Sequence, residues 1–157
     1  MASNNLQNYF RGQQVPPQWS PVLRALAAEI VYHFEQDDLR RLFFKVGERF
    51  AKDTELIFRD VQTIAQLEEC LNDFWFRANW GWVDLCEADG AVLINHQAAP
   101  LSDAFGDDTL EWGVGLLEGF YQSVFNALGA SEGLIVRSYG NLTDGMNISL
   151  RFGLQDQ

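Results

Sequence analysis

The chain has 157 residues, with 22 Asp and Glu against 11 Lys and Arg, for a formal net charge of −11 at pH 7. That balance excludes nucleic acid, whose phosphates are held by basic surfaces that displace counterions, and it disfavours an anionic membrane face. With 47% hydrophobic and 13% aromatic residues, the chain is too apolar for general disorder and long enough for one domain, which at this size buries roughly 70% of the surface its unfolded chain exposes.

Residues 1 to 19 include seven Asn or Gln and close on Pro16-Pro17. A segment this polar cannot bury enough surface to fold alone, so it reads as a flexible arm ahead of a single α+β domain spanning 20 to 157. Tyr9, Phe10 and Trp19 stand out within it. Either Trp19 packs beside the first helix, or the arm lays its aromatic faces against a partner or a sugar chain.

Three helices are predicted next. The first begins at Ser20 with Pro21 at its first position, where a missing N–H costs nothing, and places Val22, Leu23, Leu26, Ile30, Val31 and Phe34 on one side. Asp37-Asp38 opens the second, whose apolar positions are Leu39, Leu42, Phe43, Val46 and Phe50. Thr63 with Gln66 reads as a capping box for the third, which carries Leu67, Leu71, Phe74, Trp75 and Ala78.

At Asn79-Trp80-Gly81-Trp82 the period changes from helical to alternating. A hairpin is expected from Trp80 to His96, turning at Ala88-Asp89-Gly90, because Asp-Gly tolerates the positive φ of tight turns. Alternation places Trp80, Trp82 and Asp84 on one face and Val83 and Leu85 on the other. A sheet apolar on both sides needs covering on both, which hints at a second copy of the chain. After a loop over 97–106, a fourth helix runs from Asp108 through Leu110, Val114, Leu117, Tyr121 and Val124 to Leu128, capped by Gly129. Gly115 and Gly119 share one side of it; they admit either the chain's own sheet or a helix of another copy. A second hairpin, from Gly133 to Leu154, turns at Asp144-Gly145.

Chemistry is sparse. His33 and His96 lack the spaced Asp, Glu, Cys or His that would complete a metal site. Cys70 and Cys86 form neither a CxxC pair nor a disulfide framework and read as buried thiols. The acidic pairs Asp37-Asp38 and Asp107-Asp108 look like helix starts, and no nucleophile signature or phosphate-cradling loop occurs. The expectation is a non-enzyme without cofactor or metal. No basic region followed by an apolar one begins the chain, and no stretch approaches the roughly 18 apolar residues of a membrane span, so a cytoplasmic location is expected.

Three stretches carry a resemblance. Ala78-Asn79-Trp80-Gly81-Trp82-Val83-Asp84-Leu85 resembles the N-W-G-aromatic-V-x-L element of the D subunit of bacterial cellulose synthase, the cellulose synthase operon protein D. Leu117-Glu118-Gly119-Phe120-Tyr121 is similar to that family's L-E-G-x-Y helix, and Leu23 to Ile30 resembles its first helix. The resemblance implies a non-catalytic accessory protein that assembles as a ring-like octamer, a tetramer of dimers, and aligns β-1,4-glucan chains into crystalline cellulose. It also implies a proline-rich accessory partner and a place beside the inner-membrane synthase complex. In that setting Tyr9, Phe10 and Trp19 become candidates for a glucan-facing or assembly arm, and Trp80, Trp82, Gly115 and Gly119 for subunit or close-packing contacts. A second resemblance, in the order of elements, is to vinyl-reductase-type domains, which would make the chain a small-molecule-binding or tethering module.

Overall fold

The computed structural model describes residues 2–54, 58, 60–142 and 145–155. Among these, α1 (Ala2–Gln14), α2 (Ser20–His33), α3 (Gln36–Lys52) and α4 (Ile64–Ala78) precede a hairpin of β1 (Trp82–Ala88) and β2 (Ala91–Gln97). Then come α5 (Leu101–Phe105), α6 (Leu110–Gly113), α7 (Gly115–Ala127), β3 (Leu134–Ser138) and β4 (Ile148–Leu154). The class is α+β as expected, with a helix separating two antiparallel strand pairs. They join into one sheet of order β1-β2-β4-β3.

Local chemistry accounts for the boundaries. Pro21 sits in the first turn of α2, and Asp37 and Asp38 face the positive end of α3. The capping box forms as predicted: the Gln66 N–H donates to the Thr63 hydroxyl at 3.1 Å, and the Gln66 side chain accepts from the Thr63 N–H at 3.2 Å. Asp89 and Gly90, with φ of 52° and 75°, make the two-residue turn between β1 and β2.

Four features differ from the sequence reading. The polar N-terminal segment carries the helix α1, which its Asn and Gln content did not suggest. Part of the predicted loop 97–106 is helical, as α5. The fourth helix is entered through a 3₁₀ turn at Asp107–Thr109 and has a turn at Val114 between α6 and α7. Trp80 also leaves the face shared by Trp82 and Asp84. Gly81, at φ 79°, breaks the alternation, so the Trp80 ring lies 5.7 Å from both Phe50 and Trp75 while Trp82 stays exposed. Asp144, proposed for the second turn, lies outside the described residues.

All the core packing is on one side of the sheet. Val83, Ile94, His96, Ile148, Leu150, Phe152 and Val136 face inward and are buried, with Trp75, Phe120 and Tyr121 among the largest side chains above them. Helices α3 and α7 approach until their backbones touch. A Cβ on Gly119 would collide with the Phe44 carbonyl, one on Gly47 with the Leu116 carbonyl, and one on Gly115 would press on Arg40 at 2.6 Å.

Both outer strands of the sheet are protected in the same way. The Asn72 amide on α4 donates to the Val83 carbonyl at 2.9 Å and accepts from the Val83 N–H at 2.7 Å. One turn earlier, Glu68 accepts from the Leu85 N–H at 2.7 Å. On α7, Gln122 donates to the Leu134 carbonyl at 3.1 Å and accepts from the Val136 N–H at 2.7 Å, and Glu118 accepts from the Ser138 N–H at 2.9 Å. A carboxylate followed four residues later by an amide thus stands in for a missing strand on each edge, which blunts edge-to-edge pairing. The units α4-β1-β2 and α7-β3-β4 repeat one pattern on either side of the antiparallel β2-β4 pairing, where Ile94 stands opposite Leu150. Even their helix ends match: Asn79 and Gly129 both have positive φ, and the Trp80 and Ala130 N–H groups donate back to the Trp75 and Phe125 carbonyls.

Candidate functional site

The change of period at Asn79 to Trp82 is fixed by a buried hydrogen-bond chain. His96 is fully buried, with Nε2 2.7 Å from the Trp80 carbonyl and Nδ1 2.7 Å from the Tyr121 hydroxyl. A carbonyl only accepts, so Nε2 carries the proton and Nδ1 accepts from the Tyr121 O–H. The Tyr121 oxygen is then free to accept the Trp75 indole N–H, at 3.1 Å. Burial lowers the His96 pKa to about 4, against the opposing hydrogen bond to Trp80, and raises that of Tyr121 well above the ordinary phenol value. Both groups are neutral near pH 7 and sealed from solvent, so this chain of bonds orients residues; it does not exchange protons with a ligand.

A second buried polar group ties three elements together. Glu118 is only 2% exposed, and its carboxylate is gripped by Arg40 through Nε and Nη2, both at 2.9 Å. Arg40 also donates to the Ser138 hydroxyl at 2.9 Å, and the hydrogen bond with Glu118 raises its pKa. Helix α3, helix α7 and the edge of β3 meet at this fork. Arg40, Gln122, Asn72 and Glu68 were not singled out by sequence reasoning. Their partners lie far off in the chain, Glu118 being 78 positions from Arg40, so no local pattern marked them.

The arm candidates are all exposed. Tyr9 and Phe10 are exposed on α1 with ring centroids 5.7 Å apart, and Trp19 is exposed at the start of α2. Helix α1 is held by Arg11, 3.3 Å from Asp103, and by Gln14, which donates to the Ala98 carbonyl at 2.5 Å. Trp80 and Trp82 separate onto opposite faces of the sheet. Gly115 and Gly119 both meet α3 of the same chain, neither the sheet nor an outside helix. Cys86, read from the sequence as buried, is exposed; Cys70 is half-buried, and both are free. His33 is exposed and lies 3.5 Å from Glu29. Among the described residues no group of three His, Cys, Asp or Glu is placed to hold a metal ion. Nor is any helix among them long and apolar enough to cross a membrane.

The model of one protein family, that of the cellulose synthase D subunit, matches residues 5–153, nearly the whole chain. The chain belongs to the cellulose synthase D-subunit family. Its place is therefore in cellulose synthesis, as an accessory protein associated with the synthase complex. The two family-like stretches around Trp80 and Tyr121 prove to be one packed unit, because His96 bonds to Trp80 of the first and Tyr121 of the second. No curated protein gives a significant match. Among solved structures, the chain is similar to a trafficking protein particle complex subunit 3 from Naegleria fowleri, described as covalently bound to palmitic acid. The TM-score is 0.55 at 11% identity, covering 87% of this chain and 93% of that one. At that identity the likeness is one of fold alone.

Proposed function

We propose that this protein is a non-catalytic scaffold that self-assembles, as a tetramer of dimers, and aligns β-1,4-glucan chains emerging from the synthase so that they crystallise. The observation that carries the reading is α2. Only Ala27 of its 14 residues is buried, while Val22, Leu26 and Val31, with Trp19 and Phe34 at its two ends, stay exposed. Leu42 and Val46 of α3 are exposed as well. Large apolar side chains left exposed in this number suit burial in permanent subunit contacts. Tyr9, Phe10 and Trp19, exposed as well, serve assembly or face the glucan. The scaffold works in the cytoplasm beside the inner-membrane synthase, with a proline-rich accessory protein as partner.

Deleting the gene in a cellulose-secreting cell should lower the crystalline fraction of the product while membranes still polymerise glucose from its nucleotide sugar. Turnover of that sugar by the purified chain alone would contradict the non-catalytic role.

The second reading, a small-molecule-binding or tethering domain, is supported by the fold likeness and by an open cleft of about 960 Å³ whose lining includes Leu67, Leu85, Phe125, Leu128 and Phe152. A stoichiometric copurifying ligand in native mass spectrometry would favour it.

A further inference from the structure

Among the described residues no helix covers the face of the sheet turned away from the core. Successive cross-strand rows on that face are set by the register. One runs Cys86, Leu93, Arg151, Arg137, and the next Asp84, Asn95, Ser149 and then Tyr139, whose N–H continues the ladder to the Ser149 carbonyl. Trp82 and Gln97 begin the row after that. The two aromatic side chains stand on opposite outer edges, Trp82 at 48% exposure and Tyr139 at 43%. Three inter-strand spacings separate those edges, about 14 Å, with hydrogen-bonding groups in between.

Those groups are already fixed in place. Gln97 donates to Asp84 at 2.6 Å and Ser149 to Asn95 at 3.3 Å, so the carboxylate and amides are held in the plane of the sheet by cross-strand partners. Arg151 gives one N–H to the Leu154 carbonyl and faces Arg137 directly across the strand pair. Among the described residues the Arg137 side chain has no hydrogen bond or ion pair. Like charges directly opposite each other are unfavourable, and in a chain of charge −11 this pair of unspent donors contrasts with the acidic remainder. Flat aromatic surfaces at both ends, oriented amides between them and donor-rich guanidinium groups alongside suit a flat, uncharged polymer of hydroxyl and ether oxygens. An anionic polymer would be repelled by the whole molecule, and an apolar one would leave the polar rows without partners.

We propose that this bare sheet face is a binding platform for a β-1,4-linked glucan chain, with Trp82 and Tyr139 stacking on sugar rings and Asn95, Gln97, Arg137 and Arg151 bonding to hydroxyls. The proposal rests on the cellulose-scaffold reading and adds to it a contact surface distinct from the N-terminal aromatics. The helix side chains on both sheet edges keep the platform four strands wide, since a further strand cannot add there.

The test is calorimetric titration of the full chain with cellohexaose, with light scattering run on the same samples. Trp82→Ala/Tyr139→Ala should weaken binding at least tenfold with oligomer mass and circular dichroism unchanged. Phe76→Ala, at an exposed aromatic of α4, should bind as the wild type does, and the α-linked maltohexaose should not bind. Undiminished affinity in the sheet double variant would overturn the proposal. So would loss of affinity in Tyr9→Ala/Phe10→Ala with the sheet variant unaffected, which would place the glucan on the N-terminal arm. A changed oligomer mass with intact affinity in the sheet variant would make the face a subunit contact and overturn it equally. Absence of binding by the wild type would also overturn it, while the oligomer mass would still decide separately whether the scaffold reading stands.

Discussion

His96 ties pH to stability. Its folded pKa of about 4 lies below the ordinary value near 6.5, so between those pH values the unfolded chain takes up a proton that the native one refuses. Its contribution is fully present above pH 6.5 and is lost as pH falls toward 4, amounting to about 3 kcal/mol over that window. Urea midpoints measured from pH 7 to 4.5 should fall more steeply in the wild type than in His96→Gln; parallel curves would show that His96 does not report the difference. The Arg40 and Glu118 fork is a second residue-scale test. Arg40→Met leaves a carboxylate that is 2% exposed without its counter-charge, and should cost about 3 kcal/mol. Arg40→Met/Glu118→Gln should cost less than the two single changes added together, which a double-mutant cycle in denaturant would read. Little of this was legible beforehand. A lone histidine and a lone glutamate give no sequence signal, because their partners Tyr121, Trp80 and Arg40 lie 25, 16 and 78 positions away.

At the scale of elements, the glycine faces and the edge amides give the clearest expectations. Gly119 abuts the Phe44 backbone and Gly47 the Leu116 backbone, so added carbons cannot be accommodated by rotating a side chain. Gly119→Ala should destabilise the fold by about 3 kcal/mol by forcing α3 and α7 apart, and Gly115→Leu/Gly119→Leu should prevent folding. Wild-type stability in Gly119→Ala would refute the close approach. Gln122→Ala leaves the Leu134 carbonyl and the Val136 N–H of an outer strand without partners, at a cost of about 1 to 3 kcal/mol, and should raise aggregation at equal concentration. Element types were legible where a local device fixed them: Pro21, the Thr63 and Gln66 box, and the Asp89-Gly90 turn. α1 and α5 were not, since polar or Pro-adjacent segments have weak patterns and gain their order from contacts such as Arg11 with Asp103. Nor did alternation locate Trp80, because one positive φ at Gly81 shifts everything before it to the other face.

For the whole molecule, a first hairpin apolar on both faces already hinted at surface to be covered by another copy, and the structure shows exposed apolar side chains on α2 and α3, at Tyr9 and Phe10, and at the edges of the bare sheet. Eight copies would bring 8 × −11 = −88 formal charges together, so the contacts must be apolar with their acids at exposed rims. Assembly should accordingly be retained in high salt, which screens repulsion and strengthens burial of apolar surface. The most direct measurement of the scaffold account is the solution mass of the purified chain by light scattering at micromolar concentration. The account predicts eight times 17.8 kDa, with Val22→Glu/Leu26→Glu reducing it to smaller species that remain folded. A wild-type monomer of 17.8 kDa would contradict it.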